Sequence, residues 1–397
     1  MPLPIPCPDP PGSVAAARAE VSPAAERHGG NRSAEARRLG LRPDQLLDAS
    51  ASLVPFGPPW RLRAQLLRQL LQGDSLRDYP DRTYRELRHN LACLHGLDPA
   101  QVLPGNGAAE LFTWAARDAA ACGPSLLPAP GFADYARALR CWDGAIHSVP
   151  LPLDWQEAGP TAWPPAAGLL DPAQPQAGDP PVLWITNPHN PTGQLWSRAS
   201  LEPLLRRHPL VIVDEAFLPL TPGGEAQSLI PLLEAHPNLV VIRSLTKLLA
   251  VAGLRLGYAL GDPQRLERWS RWRDPWPVNG LAAGLGPSLL HDRRWLERVH
   301  SWVRGEGAWL RGRLGELGGL KLLPSATSYL MLRGCQRDGR PRSLEPLRQV
   351  LADRHHILLR DCRSFDSLDD SWLRLSLQDR RGHLRLLRAL RQEWPGD

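Results

Sequence analysis

The chain contains two lysines, Lys247 and Lys321, although lysine and arginine together number 47. Arginine fills nearly every surface role of lysine, but its guanidinium stays protonated and forms no imine. A sequence that has almost abandoned lysine yet keeps Lys247 inside the apolar, glycine-punctuated run SLTKLLAVAGLRLGY (244–258) points to an amine used as a nucleophile. Ser244 and Thr246 place hydroxyls beside it, and Arg255 adds a fixed charge suited to bidentate phosphate binding. An imine former beside a phosphate cradle is the chemistry of pyridoxal 5′-phosphate. Two other readings compete. Lys247 taken alone also suits a helix cap or a solvated surface. Ser244-Leu-Thr-Lys247 matches the S-x-x-K of penicillin-recognising acyl enzymes, but those also need K-T-G, and neither lysine precedes Thr-Gly.

The elements that must position these groups are visible as apolar runs. PVLWITNPHNPTG (181–193), PLVIVDEAF (209–217) and LVVIRSLTK (239–247) are continuous, β-branched and end in polar residues, with helical spacing between them. That pattern predicts parallel strands buried on both faces, and ligands of such sheets sit at the carboxyl ends of the strands. Asn190, Asp214 and Lys247 each lie at such an end. QVLP (101–104) predicts a strand feeding Gly105-Asn-Gly107-Ala108-Ala109-Glu110, a glycine-rich turn into a helix whose free amides suit an anion. Glu110 replaces the third glycine of a dinucleotide fingerprint, so a single phosphate is expected. His28-Gly29-Gly30-Asn31 offers donors around backbone that a ligand can approach closely, or else an ordinary loop. Residues 60–72 have a helical period, and 74–82 predict a polar turn presenting Tyr79. Arg360 and Arg374 fall in or at the end of short strands, where they either bind a ligand or are simply solvated.

Bulk properties exclude several classes. Hydrophobic content of 43% and charged content of 22% are those of a soluble globular protein. The net charge of +6 comes from arginines scattered among acids, with no like-charge run and no zinc-finger spacing, so neither nucleic acid nor a metal is expected. No stretch is apolar enough to span a bilayer. Six cysteines without C-x-x-C predict reduced thiols and a cytoplasmic protein. Residues 1–27 suggest a disordered leader and 151–181 a proline-rich irregular connection. The expected organisation is an N-terminal arm contributing to a small domain (28–75), a large cofactor-binding domain (76–284) and a small C-terminal α+β domain (285–397).

Asn190-Pro-Thr-Gly, Asp214-Glu-Ala-Phe217 and Ser244-Leu-Thr-Lys247 with Gly253-Leu-Arg255-Leu-Gly-Tyr258 occur in one order along the chain. With them the sequence resembles the fold-type I pyridoxal-phosphate enzymes, the aspartate-aminotransferase-like family, over nearly all of 28–397. The resemblance implies an α/β fold with a mostly parallel large-domain sheet and a smaller α+β domain, in a homodimer with shared active sites. It implies that Lys247 is the imine-forming lysine and that Asp214 pairs with the pyridine nitrogen. Asn190 would donate to the ring hydroxyl and Phe132 would stack on the ring. The phosphate would be held by Ala108, Ala109, Ser244, Thr246, Arg255 and, from the partner subunit, Tyr79. Arg374 would grip the substrate carboxylate, with His28, Gly29, Ser52 and Arg360 around the rest of the substrate. Two subgroups fit, L-threonine-O-3-phosphate decarboxylases of cobalamin biosynthesis and histidinol-phosphate aminotransferases. HGGN (28–31), LLDASAS, PGFADYARAL (130–139) and Phe217 in place of tyrosine look like the former. Its usual Asn-x-Asn is here Ser52-Leu-Val54, which departs from the pattern.

Overall fold

The three apolar runs form the middle of a seven-stranded sheet. The computed structural model describes residues 29–164, 181–285 and 292–394. His28, the leader 1–27 and much of the proline-rich connection therefore lie outside the described residues. The strands are β1 (Val102–Asn106), β2 (Ser125–Ala129), β3 (Ile146–Pro150), β4 (Val182–Thr186), β5 (Val211–Asp214), β6 (Leu239–Ser244) and β7 (Leu256–Gly261). Their order is β1-β7-β6-β5-β4-β2-β3, with β7 antiparallel to both neighbours and the others parallel.

Every residue of β4, β5 and β6 is buried. Leu183, Ile185, Val211, Val213 and Val241 pack into one core, and Val182, Trp184, Ile212, Val240 and Ile242 into another. Alternate residues thus serve opposite faces, and because both faces are covered the runs need no polar positions. Each such side chain contributes about 1.5–3 kcal/mol on full burial. The edge strand β3 had no comparable signature, since of its five residues only Val149 is fully buried.

Helix α2 (Ala108–Cys122) follows β1 and buries Leu111, Phe112, Ala115, Ala116 and Ala119 along one helical stripe. Gly107, at φ 75°, makes the turn into it, a backbone conformation that side chains rarely adopt. Helix α1 (Trp60–Gln72) precedes it. The expected polar turn at 74–82 is partly a short helix, Asp74–Arg77.

A second sheet is made by β8 (Leu320–Leu322), β9 (Tyr329–Gly334), β10 (Arg360–Asp361) and β11 (Trp372–Ser376), all antiparallel in the order β8-β9-β11-β10. The N-terminal segment is tied to this half of the molecule. Leu47–Asp48 pairs in parallel with Ile357–Leu358, and Ser376 N–H donates to Ala49 O at 2.8 Å. Residues 49–52 are thereby laid beside β11, over the ends of β4–β6. Among the described residues no helix is long and apolar enough to cross a membrane, and no group of three His, Cys, Asp or Glu side chains could hold a metal ion.

Candidate active site

A cavity of about 270 Å³ opens where the carboxyl ends of β4, β5 and β6 meet the second sheet. It brings together Asn190, Asp214, Ser244, Thr246, Lys247 and Arg255 from the large sheet with Ser52, Arg360 and Arg374 from the other half. Ala108, Ala109, Phe132, Asp134 and Gly29 are also part of its wall.

Asp214 is the last residue of β5 and is 6% exposed. Its Oδ1 accepts from Ala216 N–H at 2.9 Å and its Oδ2 from the Tyr135 hydroxyl at 2.6 Å. Burial raises its pKa to about 6, against the opposing pull of the Tyr135 hydrogen bond. Lys247 stands on α4 (Leu245–Leu248), the single turn of helix after β6, with its Nζ 6.0 Å from the Phe217 ring centroid. Burial lowers its pKa to about 8, helped by the cations Arg374 and Arg255. A lysine brought this near neutrality has a usable fraction of free amine, the requirement for attack on a carbonyl.

One end of the cavity is built for a phosphate. Ala108 and Ala109 open α2, so their amides are among the helix donors without an intrahelical acceptor. The hydroxyls of Ser244 and Thr246 lie 2.7 Å apart. A Cβ added to Gly107 would stand 2.6 Å from the Arg255 guanidinium, and one added to Gly257 would meet Ala108 N at 2.7 Å. Both glycines therefore let cation and amides converge. Glu110 does not face this end. It accepts from Asn106 N–H and Trp114 Nε1–H, each at 2.7 Å, and approaches Arg273 at 3.6 Å. Glu110 thus braces the turn locally.

The opposite end is cationic. Arg360 and Arg374 are paired residues on β10 and β11, 3% and 7% exposed. Arg374 donates through Nη1 to Asn190 Oδ1 and through Nη2 to Ser50 O at 3.4 Å, and its guanidinium lies 4.9 Å from the Tyr329 ring centroid. Its Nε is buried and without a hydrogen-bond partner among the described residues. Arg360 donates to Ser364 Oγ at 2.6 Å. Burial, and then the Arg374 charge, lowers its pKa to about 10. Two like charges facing each other across a strand pair are unfavourable, and Asp361 and Asp134 offset part of that at Arg360.

Ser52 lines the cavity with its hydroxyl 2.7 Å from that of Ser376, whereas Val54 is core. Tyr79 is not in this cavity. It is 79% exposed and stacks on Trp276 at 4.4 Å, beside a separate groove. The sequence reading missed Tyr135, which is buried and also lies 2.9 Å from Thr186 Oγ1. Its signal was available, since a tyrosine on the apolar face of a helix, here α3 (Ala133–Arg140), needs a partner for its hydroxyl.

These groups fit pyridoxal 5′-phosphate. An amine, a carboxylate with a buried support, a ring-sized aromatic wall and a phosphate nest share one cavity, and the orphaned Arg374 Nε awaits an anionic acceptor.

Comparison with known proteins agrees. The family described as aminotransferase class I and II matches residues 47–390. The chain is 35% identical to the threonine-phosphate decarboxylase of Salmonella typhimurium, over 93% of this chain and 97% of that protein. It is 32% identical to histidinol-phosphate aminotransferase 1 of Methylococcus capsulatus, over 79% and 83% respectively. Among solved structures, the histidinol-phosphate aminotransferase of Sinorhizobium meliloti, in complex with pyridoxal-5′-phosphate, superposes with a TM-score of 0.75 at 21% identity, covering 95% of this chain and 98% of that one. With the family matched across most of its length and the cavity furnished as described, the chain belongs to the class I and II aminotransferase family and is a pyridoxal 5′-phosphate enzyme.

Proposed function

We propose that the protein is a lyase that removes CO₂ from L-threonine O-3-phosphate, giving (R)-1-amino-2-propanol O-2-phosphate for cobalamin biosynthesis. One observation carries this reading: Arg360 and Arg374 oppose each other across β10 and β11, both buried against the same cavity. The facing pair suits a substrate with two anionic groups, as L-threonine O-3-phosphate has in its carboxylate and its phosphate. The 35% identity to a threonine-phosphate decarboxylase supports it.

Bound pyridoxal phosphate supplies an electron sink for the bond broken at the substrate α-carbon. Asp214, ionised above about pH 6, holds a proton on the pyridine nitrogen. Asn190 keeps its amide donor for the ring oxygen while its Oδ1 fixes Arg374. Arg374 then orients the carboxylate, Arg360 takes the phosphate, and Phe132 walls the ring. Lys247 Nζ would hold the cofactor, and its free amine would hold or return a proton at the α-carbon.

The protein is proposed to act in the cytoplasm as a homodimer, with Tyr79 reaching the phosphate end of the partner's site. The dimer is supported by exposed Trp60, Leu67, Leu71, Leu76 and Tyr79 clustered on and after α1, more apolar surface than isolated exposed residues explain. The purified enzyme, given L-threonine O-3-phosphate, is expected to release CO₂ without a keto acid acceptor. Amino transfer to 2-oxoglutarate without gas release would establish the aminotransferase instead.

A further inference from the structure

Behind the active site, on the far side of the same strand ends, lies a buried ionic cluster that takes no direct part in the proposed chemistry. Glu215 follows Asp214, and Arg243 precedes Ser244, so strand alternation sends each pair to opposite faces. Arg243 is 2% exposed and Glu215 fully buried. The Arg243 guanidinium lies 2.7 Å from Glu215 Oε2 and 2.7 Å from Glu225 Oε1, and also donates to Ser228 Oγ at 3.0 Å. Glu215 in turn accepts from Ser228 Oγ–H and Leu229 N–H, each at 2.8 Å. Its own N–H donates to Ile242 O at 2.9 Å, continuing the β5–β6 ladder by one residue.

A buried ion pair of this kind adds little net stability, because desolvation offsets most of the attraction and an apolar pair often serves as well. What it does supply is a fixed distance and orientation. We propose that Arg243 and Glu215 form a positioning clamp that sets Asp214 on β5 against Ser244 and Lys247 after β6. The separation between the nitrogen-binding and phosphate-binding ends of the cofactor site would then be held before the cofactor arrives. The inference rests on pyridoxal phosphate binding and not on which reaction follows.

The test uses two ligands that differ only in whether they span both ends. Pyridoxal phosphate needs the nitrogen and phosphate subsites at the correct separation; pyridoxal, lacking the phosphate, does not. The variant Arg243→Met/Glu215→Gln removes the charges with little change of volume and keeps an acceptor for Leu229 N–H. By fluorescence titration its affinity for pyridoxal phosphate should fall by about tenfold, the scale of an outer support residue, while that for pyridoxal changes far less. An equal loss for both ligands, which general loosening of the fold would cause, overturns the proposal, as does wild-type affinity for both. Should that variant fail to fold, Glu225→Gln weakens the same guanidinium from a side chain that is 49% exposed. It is expected to show the same selective loss at a smaller size; an equal loss, or none, overturns the clamp. The phosphate-dependent selectivity is independent of the CO₂ assay, so the two readings fail separately.

Discussion

Arg243 and Arg374 are both buried, yet they sit in opposite electrostatic situations. Arg243 faces away from the cavity and meets two carboxylates, Glu215 and Glu225. Burial alone would lower its pKa, and the two acids more than reverse that. Arg374 faces into the cavity and meets an amide oxygen, a backbone carbonyl and aromatic faces, so burial lowers its pKa and only Tyr329 and Cys362, not a carboxylate, pull the other way. The difference separates a charge that completes the fold from a charge held ready for a ligand. Buried cations without acids are expensive, and a protein that carries one in a cavity has a use for the missing anion.

The largest effect is expected at Lys247, whose amine is kept reactive by burial and by the nearby Arg374 and Arg255 charges. Lys247→Ala is expected to lower turnover by about 10⁴-fold or more, at or beyond the upper end of what a single acid or base contributes. Borohydride reduction of the wild type should label Lys247 and leave Lys321 unmodified. A variant with normal turnover would remove the lysine from the chemistry.

Next come the two arginines themselves, which should fail in different assays. Arg243→Ala leaves Glu215 buried and unpaired and should cost roughly 3–5 kcal/mol of stability in denaturant unfolding. Arg374→Ala should leave the apoprotein as stable as before, or more so, while lowering kcat/KM by about 2–5 kcal/mol through the lost carboxylate contact. If Arg374→Ala unfolded the protein and Arg243→Ala did not, Arg374 would be the structural charge and Arg243 the dispensable one.

A smaller effect is expected at Tyr135. Its hydrogen bond stabilises the ionised form of Asp214, and Tyr135→Phe should weaken cofactor binding by about 1.5–3 kcal/mol, the range for a bond to a charged group. The pH below which binding weakens should also move up, since the carboxylate loses a donor. Unchanged affinity and an unchanged pH limit would make Tyr135 a packing residue.

The mildest perturbation is pH. Lys247 has a folded-state pKa lowered from 10.5 to about 8, so its contribution to apoprotein stability is present above the unfolded value and lost as pH falls through the folded one. The free amine accordingly predominates above about pH 8. The rate of pyridoxal phosphate capture, followed by absorbance, should rise with a midpoint near pH 8, and a midpoint above 10 would mean that the amine is solvated.

Much of this site was legible in the sequence because its residues end apolar runs. Asn190, Asp214 and Lys247 were found as the polar stops after β4, β5 and β6, and Ala108 as the start of a helix after a glycine turn. What was not legible depends on partners far apart in the chain. Tyr135 and Asp214 meet only once β2, β4 and β5 lie side by side, and Arg243 finds Glu215 only through the β5–β6 register. The bracing role of Glu110 was not legible, because its carboxylate folds back on its own turn, a rotamer choice that carries no sequence mark. Tyr79 lines a separate groove and not the cavity.

The cross-strand meeting of Arg360 with Arg374 has a practical consequence for anyone handling the protein. That corner should behave as a trap for oxyanions, so buffer phosphate or sulfate will raise the melting temperature and compete with substrate.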